Sequence, residues 1–346
     1  MTSNPLPAST CRTAGCTLTG ALSVVTQVTD AVTVVHGPGG CTHHNFSLLY
    51  ATALDNGRPA LPPLVSTDLR ETDIVFGGEE ALDRTLTRVM NGNPGAIFVL
   101  STCIVETIGD DIEKICQAQQ GCPVIIVPTA GFLGGSFQAG VNNALIALAA
   151  TAESSAPNGR VNLIGEKNLE YEVEENYAEV SRLLSLLGLS VNLRFIRNIT
   201  TEEIARLGAA RLNVLRDPAL VPVGEYLRSR FGTPYITGFP IGLSGNSSFL
   251  AEVVKTCGIN GTDAVTRERA REAELLEKFH DLEGEGVFFS PLPLDPEGRI
   301  AARDLARNVG LRFSDQGNPV PVPVIPPVGL AGTERLLHRW RRAIFA

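Results

Sequence analysis

The chain has 346 residues, 44% of them hydrophobic, 19% charged and only 6% aromatic, with 34 glycines and 22 prolines. Its 29 basic and 37 acidic side chains leave a net charge of −8, which argues against a nucleic-acid partner, since neutralising phosphates takes an excess of lysine and arginine. No apolar run approaches the ~20 residues of a membrane span, and the opening MTSNPLPASTCRTAGC has neither the basic nor the apolar region of a signal peptide, so a soluble, cytoplasmic protein is expected.

Short β-branched runs alternate with longer amphipathic stretches, the pattern of parallel strands joined by crossover helices. Residues 31–36 (AVTVVH), 96–100 (AIFVL) and 123–127 (PVIIV) read as buried strands, being nearly continuous apolar runs too short for helices. Residues 79–90, 106–119 and 136–150 read as the helices between and after them. A polar break at 151–159 (TAESSAPNG) looks like a linker. The pattern then restarts, with strands at 161–164, 191–196, 211–215 and 234–237 and helices at 172–187, 200–207, 221–230 and 247–256. Thr200-Thr201-Glu202-Glu203 supplies an N-cap signal. The last part holds a charged helix at 267–281, a strand at 286–290, a helix at 300–308 and a segment with five prolines at 317–328, expected to be extended; a helix at 332–345 closes the chain. The expected fold class is α/β, with tandem Rossmann-like domains on parallel sheets: residues 1–150, then 160–258, then a reduced third domain at 259–346.

Seven cysteines are an odd count, and a chain this long does not need disulfides for its core. Six of them, Cys11, Cys16, Cys41, Cys103, Cys116 and Cys122, fall in the first 122 residues, with Cys257 alone beyond. In open α/β sheets ligands gather at the loops beyond the carboxyl ends of the strands. Cys41, in HGPGGC, follows the strand ending at His36, and Cys103, in STC, follows the strand ending at Leu100. Cys16 stands in an early loop, close enough in sequence to be draped over the same edge. Thiols select zinc, copper(I) or iron–sulfur clusters. The separations of 25 residues from Cys16 to Cys41 and 62 from Cys41 to Cys103 lack the compact pairs of a zinc site and the local spacing of a ferredoxin. Spacing alone leaves open a cluster held across loops, or Cys41 and Cys103 acting as small buried hydrophobes.

The ordered set Gly15-Cys16, His36-Gly37-Pro38 then Cys41, Ser66-Thr67-Asp68-Leu69 with Glu71 and Asp73 through Glu79, Ser101-Thr102-Cys103, Ile108-Gly109-Asp110-Asp111-Ile112 and Gly131-Phe132 resembles nitrogenase component 1. That family includes the nitrogenase molybdenum–iron protein chains, the paired scaffold chains that assemble its cofactor, and related tetrapyrrole reductases. The likeness is continuous over about residues 11–140 and weakens through 160–256. It implies that Cys16, Cys41 and Cys103 ligate an iron–sulfur cluster, a [4Fe–4S] or P-cluster-like group, at an interface with a homologous or identical chain in a dimer or tetramer. Three thiolates leave a cubane one ligand short of four. The resemblance also implies a nitrogenase reductase-like, ATP-hydrolysing iron–sulfur partner, with Gly109, Asp110 and Asp111 as docking candidates. Without the resemblance, Asp110 and Asp111 read as caps of the following helix.

The departures bear on the reaction. Family α chains hold their large cofactor through a cysteine after the strand matching 211–215, where this chain has Arg216 and Asp217. Cys257, His280 and His338 read as packing or surface residues, Cys116 and Cys122 as core, and His43-His44 as a solvent-facing loop pair. The expected function is a subunit of a nitrogenase-like reductase, an oxidoreductase passing electrons to a bound substrate. The alternative is a scaffold on which a metallocluster is assembled, and a structural partner subunit is a third reading.

Overall fold

The structure is a computed structural model that describes residues 15–58, 60–289, 296–322 and 327–346; Cys11 and part of the proline-rich segment lie outside the described residues. The first sheet has the order β2-β1-β3-β4, all parallel: β1 Ala31–His36, β2 Leu64–Ser66, β3 Ala96–Ser101 and β4 Val124–Val127. β1 and β3 are nearly continuous apolar runs and lie buried, as strands covered on both faces must. Their register pairs His36 with Ser101, so the two strands end level.

Helices α1 (Thr17–Val25), α2 (Gly39–Asp55), α3 (Glu71–Phe76), α4 (Glu79–Met90), α5 (Cys103–Ile108), α6 (Ile112–Gln117) and α7 (Phe137–Ala149) complete this part. Two sequence expectations change. HGPGGC leads straight into the 17-residue α2, so Cys41 and the exposed His43 and His44 sit on a helix rather than in a loop. The run Thr42-His43-His44-Asn45 is poor in helix formers and the helix buries few apolar side chains, which hid its period. The single helix expected at 106–119 is split into α5 and α6, because Gly109 adopts a left-handed conformation (φ 78°) that ends α5.

The second sheet, β6-β5-β7-β8, is again parallel: β5 Val161–Ile164, β6 Val191–Phe195, β7 Leu212–Leu215 and β8 Tyr235–Thr237. α8 (Val173–Leu186), α9 (Thr201–Ile204), α10 (Val221–Phe231) and α11 (Gly245–Cys257) flank it. Thr200 caps α9 in a reciprocal box with Glu203, as the Thr-Thr-Glu-Glu signal predicts. One apolar core joins the two sheets: Leu22, Val24 and Leu145 from α1 and α7 pack with Ile164, Phe195 and Leu215. The last part carries a three-stranded parallel sheet, β10-β9-β11 (β9 Gly286–Phe289, β10 Arg312–Phe313, β11 Asn318–Val320). It is covered by α12 (Thr262–Lys278), α13 (Pro296–Asn308) and α14 (Gly329–Phe345). Trp340 of α14 is fully buried there, its indole N–H donating to the Pro321 carbonyl at 2.7 Å. Among the described residues, no helix is long and apolar enough to cross a membrane.

Candidate functional site

Cys41 and Cys103 leave the carboxyl rim of the first sheet from neighbouring strands. Cys41 is the third residue of α2, its N–H bonded to the Pro38 carbonyl at 3.2 Å and its carbonyl accepting from the Asn45 side chain at 2.8 Å. Cys103 is the first residue of α5, behind the Thr102 cap, and its carbonyl accepts from the Thr107 hydroxyl at 2.7 Å. Cys16 reaches the rim by a different route. It is the N-cap residue of α1, in extended backbone, and forms an isolated antiparallel bridge with Ser136.

The segment between β4 and α7 ties the third thiol to the second. The Thr17 N–H donates to the Gly131 carbonyl at 3.3 Å and its hydroxyl to the same oxygen at 2.5 Å. Gly131 (φ +54°) lies so close to Cys103 that a β-carbon on it would stand 2.9 Å from the Cys103 nitrogen. Gly131 was part of the sequence motif; Thr17 carried no signal, since its partner is more than a hundred residues away.

The three thiols are electrostatic neighbours. Burial pushes the Cys41 pKa up, and the charges of Cys103 and then Cys16 push it further. Cys16 is buried while Cys41 and Cys103 are half-buried, with the Cys16 sulfur 3.7 Å from the Thr19 hydroxyl. The amino ends of α1 and α2 carry partial positive charge, which favours thiolate or another anion beside them. Among the described residues, no group of three or more His, Cys, Asp or Glu is arranged to hold a single metal ion. The donor set, three soft thiols spread along one rim, fits a multi-iron sulfide core that reaches between them better than it fits one ion. Exposed apolar side chains stand on the same elements: Phe46 on α2, and Phe132 and Leu133 beside Gly131.

The other sequence candidates fall elsewhere. Cys116 is buried, its pKa pushed up to about 11 by burial. Cys122 is half-buried ahead of β4, and Cys257 is buried in the core of the second sheet. His280 and His338 are exposed on the last part of the chain. Asp111 caps α6, accepting from the Lys114 N–H at 3.1 Å. Asp110 does not cap that helix: its carboxylate turns inward to His36 at 3.1 Å, with only 3% of the side chain exposed. The inward carboxylate corrects the capping reading of that side chain.

At the carboxyl edge of the second sheet, where Arg216 follows β7, the structure places charges paired with one another. Arg216 meets Glu170 at 3.2 Å, and Lys167 meets the same carboxylate at 2.7 Å. Arg194 bridges Glu166 at 2.8 Å and Glu174 at 2.7 Å. Burial alone would raise the Glu170 pKa, but Lys167 and Arg216 outweigh it and hold the carboxyl below its usual range.

A family model described as nitrogenase component 1 type oxidoreductase matches residues 16–289. The chain is 30% identical over 251 residues to the nitrogenase iron-molybdenum cofactor biosynthesis protein NifE of Clostridium pasteurianum, covering 70% of this chain and 54% of that one. It is 28% identical over 293 residues to the nitrogenase molybdenum-iron protein alpha chain of Methanosarcina barkeri, covering 79% and 54%. The chain thus spans just over half the length of these curated relatives. The solved structure "Nitrogenase Cp1 at pH 6.5" has the same fold, with a TM-score of 0.66 at 24% identity over 87% of this chain and 60% of that one.

Proposed function

Because the chain belongs to the nitrogenase component 1 family of oxidoreductases, we propose that it is a scaffold member, holding an iron–sulfur cluster on Cys16, Cys41 and Cys103 beside a second component 1 chain. The observation that carries the reading is the placement of the three thiols: Cys41 and Cys103 stand in the first turns of helices that follow two paired parallel strands, and Gly131 links the Cys16 end of α1 to Cys103. Two further observations favour a scaffold over a reductase. Relatives at about the 30% level are cofactor biosynthesis proteins. The second-sheet edge, where a catalytic relative would grip a large cofactor through sulfur, is filled here by the Arg216–Glu170–Lys167 ion pairs. A carboxylate satisfied by two cations has little left for a ligand.

The chain's own residues have definite tasks in this reading. Cys16, Cys41 and Cys103 supply thiolates, and the amino ends of α1 and α2 offset the negative charge that gathers there. Gly131 brings backbone against Cys103. Three thiolates leave a cubane a ligand short, so a homologous or identical chain completes it, docking over Phe46, Phe132 and Leu133. A [4Fe–4S] or P-cluster-like group, when bound, supplies one-electron chemistry or inorganic iron and sulfide for transfer. Free thiols of this kind suit the cytoplasm, where we place the protein.

The test is purification without oxygen, with iron and sulfide analysis and electron paramagnetic resonance, followed by two assays. A scaffold passes its iron–sulfur content to an acceptor protein. A reductase instead consumes electrons in a substrate-dependent way with a nitrogenase reductase-like, ATP-hydrolysing partner; the likeness to a molybdenum-iron protein alpha chain favours that second reading. An iron-free, colourless wild-type preparation would remove both.

A further inference from the structure

We propose that Asp110 and His36 are positioning residues, a clasp that fixes the Cys41 turn relative to the helix that carries Cys103. The inference rests on reading those thiols as ligands. The two side chains form a buried hydrogen-bonded pair that the ligand set itself does not use.

The strand ladder alone leaves both thiols loosely placed. Only Gly37 and Pro38 separate β1 from α2, and α2 opens with Gly39-Gly40, so no side chain of the first two helical residues anchors the turn that carries Cys41. Cys103 opens the six-residue α5, which ends at Gly109. Asp110 follows immediately, and its carboxylate crosses back over the rim. It accepts from His36 Nε2 at 3.1 Å and from the Gly78 N–H at 3.0 Å. His36 is the last residue of β1, the point from which the Cys41 turn springs. The far end of the Cys103 helix is therefore tied to the root of the Cys41 turn.

The hydrogen bonds around the pair run in one direction. The Gly37 N–H donates to the Thr67 hydroxyl oxygen at 2.9 Å, and that hydroxyl lies 3.0 Å from His36 Nδ1. In the neutral Nε2–H tautomer, Nε2 donates to the carboxylate and Nδ1 accepts from the Thr67 hydroxyl. Burial, which pushes the His36 pKa down, favours the same neutral form. The Thr102 N–H, one residue before Cys103, donates to the His36 carbonyl at 3.1 Å. The joint is also close-packed. A β-carbon on Gly37 would stand 2.3 Å from the Thr102 hydroxyl, and one on Gly78 would stand 2.7 Å from an Asp110 oxygen and 3.0 Å from the His36 ring. Helix capping does not explain Asp110, because Asp111 already caps α6.

The experiment compares wild type with Asp110→Ala, Asp110→Asn and Thr67→Val, all prepared without oxygen, and uses two readouts. The first, on the iron-free chain, is the yield of a Cys41–Cys103 bridge formed by a short bifunctional thiol reagent and quantified by mass spectrometry. The second, on protein reconstituted with iron and sulfide, is iron retention against a chelator together with the resonance spectrum. Asp110→Ala is expected to lose the bridge, to change the spectrum and to retain iron about 10-fold less well, the lower end of the range for supporting residues around a metal site. Asp110→Asn keeps an oxygen facing His36 and Gly78 and is expected to recover both readouts. A folded Asp110→Ala with wild-type bridging and spectrum overturns the clasp. If Asp110→Ala does not fold, Thr67→Val decides on the same readouts: a reduced bridge supports the clasp and an unchanged one overturns it. If wild type takes up no iron, the scaffold reading falls, while the bridging yield still judges the clasp.

Discussion

Gly140 lies so close to Thr17 that a β-carbon on it would stand 2.0 Å from the Thr17 carbonyl oxygen. Gly20 has the reciprocal relation to Phe137, at 1.9 Å from its carbonyl oxygen. Helices α1 and α7 therefore touch backbone to backbone, and the contact lies one residue from Cys16. Close approach of this kind is available only to glycine. It sets the depth at which the amino end of α1, and the thiol on its cap, enters the rim.

Gly140→Ala must push these helices apart. Overpacking of this kind costs about 1–3 kcal/mol, so the urea midpoint should fall. Because Cys16 rides on the displaced helix, iron bound per chain should fall as well. An alanine variant with an unchanged midpoint and unchanged iron would show that the helices are not in backbone contact.

Cys41→Ser should remove most of the iron from protein purified without oxygen and abolish its resonance signal. Cys257→Ala should leave both near the wild-type level, since Cys257 packs among Leu250, Val253 and Ile259, away from the first sheet. Iron and sulfide analysis of the two variants side by side makes the comparison. Equal loss in both would argue that the metal content follows folding and not ligation.

His36 gives stability a pH dependence. Burial drives its pKa below the ordinary value and the neighbouring Asp110 only partly opposes this. A histidine whose folded pKa is depressed favours its neutral form, so its contribution is complete above about pH 6.5, the ordinary imidazole value. That contribution is lost as the pH falls from there through the lowered folded value. Urea midpoints measured from pH 8 to pH 5 should drop more steeply for wild type than for His36→Gln, which has no proton to gain at that site. Parallel slopes would contradict the assignment.

Glu170→Ala should be strongly destabilising. It leaves Lys167 and Arg216, both buried, without their shared carboxylate. Breaking a buried pair in this way costs about 3–5 kcal/mol, read as a lower midpoint in urea. The far-UV spectrum at low urea should stay that of wild type, because the strands of the second sheet are held by their own ladders. A shift under ~1 kcal/mol, the range of exposed pairs, would place these charges in solvent.

Much of the architecture was legible in the residues alone. The runs AVTVVH and AIFVL became β1 and β3 with little change of boundary, because β-branched and apolar side chains in short runs favour a strand buried on both faces. The helix at 79–90 was read to its ends, since its apolar positions recur with helical period. The position of Cys41 and Cys103 at one edge of the first sheet was readable too, given that the strands are parallel; that their strands are neighbours was not. The α2 helix was not, since Thr42, His43, His44 and Asn45 give neither good propensity nor a clean apolar stripe.

The sequence by itself determined the strands, most of the helices and which thiols leave the rim of the first sheet, because those features depend on local patterns of side-chain size and polarity. Only the tertiary structure decided that Cys16 joins the rim through Ser136 and Thr17, that Asp110 turns inward to His36, and that Arg216 is absorbed by Glu170. Each of these is a contact between segments dozens of residues apart or more. Which donor meets which acceptor is fixed by how the sheets and helices pack, and by the cost of leaving a buried polar group unpaired.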